Sequence, residues 1–182
     1  MKKNSIIRLA ITGLLLTGIF SPMAVKSQDA KERKIINDSR NAKAAFVKTD
    51  ASMQSLFDNS YGYVIFPNIG KGAIGVGGAA GNGTVFEKGN TIGSAKMKQV
   101  SVGFQLGGQT YREVIFFENK DALDHFKENK VEFTGQVSAV VARSGASANA
   151  QYRDGVLVFT EGKNGLMVEA AIGGQKFSYT PF

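Results

Sequence analysis

Hydrophobic and polar positions divide the chain into stretches of different periodicity. In the first stretch, the basic residues Lys2, Lys3 and Arg8 precede an uncharged, mostly apolar run that ends at Phe20. This run is shorter than the about 20 apolar residues that a membrane-spanning helix needs. The pattern predicts a signal peptide over residues 1–27 and an exported protein, found in the periplasm, in the cell envelope or secreted. A retained N-terminal anchor is the alternative.

The next stretch, residues 28–54, is polar, basic and prone to form helix. Apolar and small residues recur in it at helical spacing, which predicts a helix from Gln28 to Val47 with one weakly apolar stripe. The stripe consists of Ile35, Ile36, Ser39, Ala42 and Phe46. Asp50 is predicted to cap a second short helix that includes Met53 and Phe57.

Within the predicted domain of residues 55–182, the stretch from Gly62 to Gly108 alternates apolar residues with glycines at the period of two that is typical of strands. Between Gly62 and Gly108 lie 13 of the 22 glycines, which predicts twisted strands with small residues on one face. Tight turns are predicted at Asn82-Gly83 and Gly89-Asn90. The predicted strands cover residues 61–67, 111–118, 131–141, 156–160, 166–172 and 176–179, and a helix capped by Asn119 covers residues 120–127. We expect one α+β domain, with the helical segment leading into a largely antiparallel, glycine-rich sheet that is barrel-like or sandwich-like.

Composition limits the possible functions. The chain has 182 residues, no cysteine and a formal net charge of +7, so its stability must come from core packing without disulfides. Removal of the signal peptide would lower the charge to about +3, which is mild and does not indicate nucleic-acid binding.

Motifs for catalysis and metal binding are weak. The glycines from Gly75 to Ala80 have the loose spacing of a dinucleotide fingerprint, but a strand-like segment follows where that site needs a helix. His125 is the one histidine, and no nucleophile elbow accompanies it. The acids do not form a calcium loop, and zinc ligands are missing. We expect no cofactor, no metal and no enzymatic activity, and a hydrolase that uses His125 is the least favoured alternative.

Several glycine-rich motifs occur in a fixed order along the chain. They are Gly62-Tyr-Val-Ile-Phe-Pro67, Gly70-Lys-Gly72, Gly75-Val-Gly-Gly78, Gly81-Asn-Gly83, Ser101-Val-Gly-Phe-Gln-Leu-Gly-Gly-Gln109 and Gly165-Leu-Met167. Together they resemble the SYLF domain, also called the DUF500 family, over residues 56–182. The resemblance implies a non-enzymatic protein that binds anionic lipids with phospholipid or phosphoinositide-like headgroups, and some fungal members also bind actin.

Two segments are candidates for the lipid contact. Lys71 lies between Gly70 and Gly72 in a predicted loop, where backbone amides and a lysine could meet an anion. The second candidate is the basic helix, whose cations would lie along headgroups while its apolar residues reach the acyl boundary. Its cations are Lys31, Arg33, Lys34, Arg40 and Lys43, and its apolar contacts are Ile35, Ile36 and Phe46. Weaker candidates are Lys96, Lys98, Arg112 and Lys176.

Other interpretations of these residues stay open. The helix stripe would equally well pack on the sheet, because apolar stripes usually face a core. Lys71 would equally well be an ordinary turn residue. For the whole protein, the alternative to a lipid-binding domain is a structural or protein-interaction module of the periplasm or cell surface, whose sheet edges pair with unknown protein partners.

Overall fold

The structure is a computed structural model that describes residues 22–74, 76–100, 110–129, 132–133, 139–163 and 174–182. Three helices and eight strands lie in these ranges. The helices are α1 (Pro22–Thr49), α2 (Met53–Asn59) and α3 (Lys120–Lys127). The strands are β1 (Gly62–Ile74), β2 (Val76–Glu87), β3 (Asn90–Val100), β4 (Thr110–Phe117), β5 (Glu132–Phe133), β6 (Val140–Val141), β7 (Val156–Gly162) and β8 (Gln175–Pro181).

The described strands form one sheet in the order β5-β8-β3-β2-β1-β4-β7-β6. All neighbouring pairs are antiparallel except β6 and β7, which are parallel. The expected α+β domain with a largely antiparallel sheet is therefore confirmed.

This sheet is strongly curled. In a flat sheet, β8 and β4 would lie about 19 Å apart, because they are four strand spacings of about 4.8 Å from each other. Instead, Gln175 Nε2 on β8 donates a hydrogen bond to Glu113 Oε2 on β4 at 3.0 Å. The rings of Phe66 on β1 and Phe177 on β8 lie 5.8 Å apart. These contacts bring distant strands together, so the sheet curls around a core. Its strand order runs from β5 to β6 without pairing these two edge strands, so the described sheet is open and not a closed barrel.

Each face of the sheet packs against a different set of helices. The enclosed face meets α3 through Leu123 and Phe126, and Phe126 also contacts Phe117 and Phe177. The outer face meets α1 and α2, whose Phe46 and Met53 belong to a second cluster of buried side chains. The helices α1 and α2 therefore share a core with the sheet.

Local signals predicted several elements well. Asn119 Oδ1 accepts a hydrogen bond from Ala122 N at 3.0 Å, which caps α3 as predicted. Lys88 and Gly89 both have positive φ, 48° and 79°, and they form a tight turn one residue before the predicted Gly89-Asn90, since Asn90 already belongs to β3. The predicted strand 166–172 and most of the strand 131–141 lie outside the described residues.

The other predicted turn was wrong. Asn82 and Gly83 lie inside β2, and Gly83 is needed there for space. A Cβ on Gly83 would lie 2.5 Å from the carbonyl oxygen of Ile65 and 2.8 Å from the ring of Phe66, so the glycine permits close strand packing. Pro67 does not end its strand either, because it lies where the β1 register shifts, a position that tolerates the missing amide proton.

None of the described helices combines the length and the apolar character that a membrane crossing requires. The backbone of α1 begins at Pro22, and the signal peptide over residues 1–27 stays a prediction.

Candidate functional site

The site is built around α1, which is fixed across the outer face of the sheet. Ala42 and Phe46 are buried against the strands. Ser39 is also fully buried, and its Oγ donates to Thr84 Oγ1 at 3.0 Å and to the Ile65 carbonyl oxygen at 3.3 Å. The helix is therefore held by both apolar packing and a polar contact, which positions the residues along its two sides.

A row of polar side chains crosses the sheet beside α1. Asn68 on β1 pairs with Asn82 on β2, and Asn82 pairs with Lys96 on β3. Cross-strand partners point to the same face of a sheet, so these side chains share the face that carries α1. On the other side of β1, the register shifts between Phe66 and Ile69, opposite Arg112 of β4, and Arg112 pairs with Glu161 on β7. The row places residues from five strands along one helix.

The larger concavity in this region is a groove of about 560 Å³ between the N-terminal half of α1 and the strands β2, β3 and β8. Lys31, Lys34 and Lys96 line it. Ile35 and the C-terminal Phe182 add apolar surface, and Phe182 is 51% exposed. The groove therefore combines cationic groups with apolar side chains in one depression.

A smaller pocket of about 230 Å³ lies further along the same side of α1. Its walls come from Asn41 on α1, Asn68 at the β1 register shift, Arg112 on β4 and Lys163 at the end of β7. Asp38 borders both this pocket and the groove, because residues three and four positions apart lie on one side of a helix. In contrast to the groove, the pocket is mainly polar.

The structure exposes most of the cations predicted on the helix. Lys31, Arg33, Lys34 and Arg40 are exposed, and Lys34 Nζ lies 2.6 Å from Asp38 Oδ2.

Lys43 lies on a different side of α1. It is partly buried, and its Nζ lies 4.8 Å from the centre of the Phe57 ring and 5.5 Å from that of Tyr63. Lys43 is thus engaged in a cation–π contact with the protein itself.

The predicted apolar contacts need one correction. Phe46 has no exposed surface and lies in the core between α1 and the sheet, so its prediction as a membrane contact was wrong. The helix turns Phe46 to the same side as the buried Ser39 and Ala42, because these residues follow helical spacing. Ile35 and Ile36 are partly buried, and Ile35 faces the groove.

The predicted anion loop at Gly70-Lys71-Gly72 is a strand. These residues lie in β1 and pair with residues 80, 79 and 78 of β2. A strand ladder uses backbone amides for pairing, so the loop expected for this segment is a wrong prediction, and so is the turn considered for Lys71. The role of Lys71 in binding lipid stays a prediction.

The weaker strand candidates include two members of the site. Lys96 lies in the groove and Arg112 in the smaller pocket. Lys98 and Lys176 are exposed cross-strand partners on β3 and β8, outside both concavities.

The sequence interpretation missed Asn68, Lys163 and Phe182. Each of them lies at a strand end or at a register shift, and only the pairing of distant strands brings them beside α1. Local periodicity carries no signal of that pairing.

Chemistry beyond binding has little support in the described ranges. His125 is exposed on α3, and Asp124 beside it forms ion pairs with Lys120 and Lys127. Within the described part of the chain, no group of three or more histidine, aspartate or glutamate side chains is placed to hold a metal ion.

Comparison with known proteins gives two matches. Residues 98–180 match the Ysc84 family, described as Las17-binding protein actin regulator. A protein of Aeromonas veronii named beta cell expansion factor A is 31% identical to this chain over 128 residues. That alignment covers 69% of this chain and 48% of the relative, so the chain spans about half the length of the curated relative.

Proposed function

Since this chain belongs to the SYLF family, to which Ysc84 proteins belong, we propose that it binds anionic lipids at the cell envelope through the groove beside α1. Some members of this family bind lipid and some bind actin, and the family is generally non-enzymatic. The observation that carries the proposal is the groove itself, in which Lys31, Lys34 and Lys96 lie around apolar side chains.

The charges around the groove favour an anionic partner. Three lysines line it together with the two acids Glu32 and Asp38. Lys34 pairs with Asp38 across one helical turn, and such exposed pairs are weak enough to be exchanged for a headgroup phosphate. Arg33 and Arg40, which are exposed on the same helix, extend the cationic surface beyond the groove.

Apolar groups beside these cations distinguish a lipid from a soluble anion. Phe182 is the large hydrophobic residue with most exposure in the described part of the chain, at 51%, and it lies in the groove with Ile35 and Pro181. A headgroup at the lysines would therefore place the start of an acyl chain against these side chains. Both the burial of apolar groups and the attraction to anionic headgroups strengthen binding at a membrane surface.

Vesicle sedimentation tests the proposal. The purified protein is expected to pellet with phosphatidylglycerol vesicles and to be released as salt increases, because screening weakens headgroup attraction. A variant carrying Lys31→Gln, Lys34→Gln and Lys96→Gln is expected to bind about a hundredfold more weakly, since each lysine near an anionic surface contributes about 1 kcal/mol.

The matched control removes the same number of charges elsewhere. Lys48, Lys120 and Arg153 are exposed and lie outside the groove, so replacing all three with glutamine should leave most of the vesicle binding. Equal losses in both triple variants would show that net charge, and not the groove, attracts the vesicles. Failure of the unchanged protein to pellet with any lipid mixture at low salt would favour the protein-interaction module.

A further inference from the structure

We propose that the smaller pocket beside α1 is a separate binding site for a phosphomonoester group. The pocket lies between the middle of α1, the register shift of β1 and the ends of β4 and β7. Its distinguishing feature is a pair of cations, Arg112 and Lys163, that face the same small polar space. This proposal goes beyond lipid binding by the groove and does not depend on it.

Lys163 lies in this space without a carboxylate partner among the described residues. Its Nζ donates to the neutral Asn68 Oδ1. Burial lowers the pKa of Lys163, repulsion from Arg112 lowers it further, and attraction to Asp38 partly opposes both effects. An anion between the two cations would replace this repulsion with attraction, because charge-assisted hydrogen bonds are the stronger kind.

Arg112 also retains unused hydrogen-bonding capacity. Its Nε lies 3.4 Å from Glu161 Oε2, and within the described part of the chain this buried nitrogen has no hydrogen-bond partner. Glu161 is held from its other oxygen, which accepts from Thr49 Oγ1 at 2.8 Å. Thr49, at the end of α1, thus holds the Glu161 carboxylate, and the Arg112 guanidinium can donate hydrogen bonds to a second anion.

The remaining acid at the pocket is already engaged. Asp38 borders the pocket, but its Oδ2 lies 2.6 Å from Lys34 Nζ. Glu161 lies beside Arg112 and Asp38 beside Lys34, and within the described ranges Lys163 forms no ion pair, although the charge of Asp38 attracts it at longer range. Arg112 and Lys163 therefore present two cations to the same polar space, where both can contact one bound anion.

Size and neutral donors favour a phosphomonoester over larger anions. The space of about 230 Å³ is smaller than most ligand pockets, which are commonly about 300–1,000 Å³. The amide groups of Asn41 and Asn68 add neutral hydrogen-bonding partners at the wall. A monoester presents three terminal oxygens and up to two negative charges and needs one exit for its substituent, whereas a diester needs two.

Calorimetric titration of the full chain tests the site with soluble probes. Inorganic phosphate and glycerol 3-phosphate are expected to bind, and glycerophosphocholine, a diester, is expected to bind at least tenfold more weakly. Lys163→Gln should weaken phosphate binding about tenfold or more, because it removes a charged hydrogen-bond donor. The control Lys120→Gln changes an exposed lysine on α3 that lies outside the pocket and should leave the affinity unchanged. Equal phosphate affinity in the unchanged protein and Lys163→Gln would overturn the proposal, as would no binding of phosphate at all.

Vesicles then identify where the phosphate comes from and separate this site from the groove. If the ligand is a lipid headgroup, Lys163→Gln should weaken binding to phosphatidic acid, a monoester, and glycerol 3-phosphate should compete with it. If the ligand is a free phosphomonoester, vesicle binding should be unaffected while the soluble titration is lost. In both cases Lys163→Gln should bind phosphatidylglycerol normally, so that failure of this pocket is distinguishable from failure of the groove. Equal weakening toward both lipids, without a change in the soluble titration, would contradict a phosphomonoester site.

Discussion

The buried carboxyl of Glu113 should make the stability of this protein fall as pH rises. Glu113 has no exposed surface, and the Gln175 amide donates to its Oε2 at 3.0 Å. Its Oε1 has no hydrogen-bond partner within the described part of the chain. Burial raises the pKa of Glu113 to about 7 from the ordinary 4.5, and the hydrogen bond from Gln175 only partly opposes this rise.

The sign and size of the effect follow from linkage. Because the folded pKa is above the unfolded value, the folded state holds its proton more tightly, and the stabilisation is complete below pH 4.5 and is lost as pH rises through 7. A difference of about 2.5 pKa units corresponds to about 3 kcal/mol at pH above 8. Tyr111 faces the same interior, but burial raises its pKa as well, so it stays neutral over this range.

Glu113→Gln tests this reasoning, because glutamine keeps the shape and cannot ionise. Urea unfolding should show the variant more stable than the unchanged protein by about 3 kcal/mol at pH 8.5 and by less than about 1 kcal/mol at pH 5. The new amide can donate to Gln175 Oε1, which has no hydrogen-bond partner in the described ranges. The control is Glu118→Gln, at an exposed carboxylate just after β4. A stability difference between Glu113→Gln and the unchanged protein that is the same at both pH values would refute the argument.

Two further predictions concern the packing of α1 and the cap of α3. Phe46→Ala should lower the free energy of unfolding by about 3–5 kcal/mol, as expected for a fully buried phenylalanine, whereas Lys48→Ala at an exposed position of α1 should change it little. Urea unfolding of both variants measures the difference, and a small loss for Phe46→Ala would show that α1 does not share the core. Asn119→Ala should cost about 1 kcal/mol by removing the cap of α3, and equal stability of Asn119→Ala and the unchanged protein in the same assay would contradict the capping role.

Local signals in the sequence were enough to place several elements and one cap. The helix from Lys120 to Lys127 matches its predicted bounds, because Asn119 and the apolar spacing act within one or two turns. The glycine at Gly89 marked a real turn, since a positive φ is required there. At Gly83 the same residue type served close packing between strands, which the sequence does not distinguish from a turn.

For the candidate site residues too, the sequence was informative where the signal is local and uninformative where distant strands meet. The cations of α1 were recognised from their spacing in one segment, and Lys31, Arg33, Lys34 and Arg40 are exposed as a surface role requires. The buried side of the helix was left open in the sequence, because a weak stripe suits either a core or a membrane. In the structure this side of α1 faces the core, since Phe46 packs with strands that lie far along the chain.

The sequence by itself determined the class of this protein: a basic helical segment before a glycine-rich antiparallel sheet, with motifs of the SYLF family. These features depend on neighbours along the chain, where periodicity and turn residues act directly. Only the tertiary structure decided that Lys96, Asn82, Asn68 and Arg112 form a row beside α1 and that Glu113 meets Gln175 inside the curl. Those contacts depend on the register and the curvature of strands that are distant in sequence, and a slip of one residue would move each side chain to the opposite face.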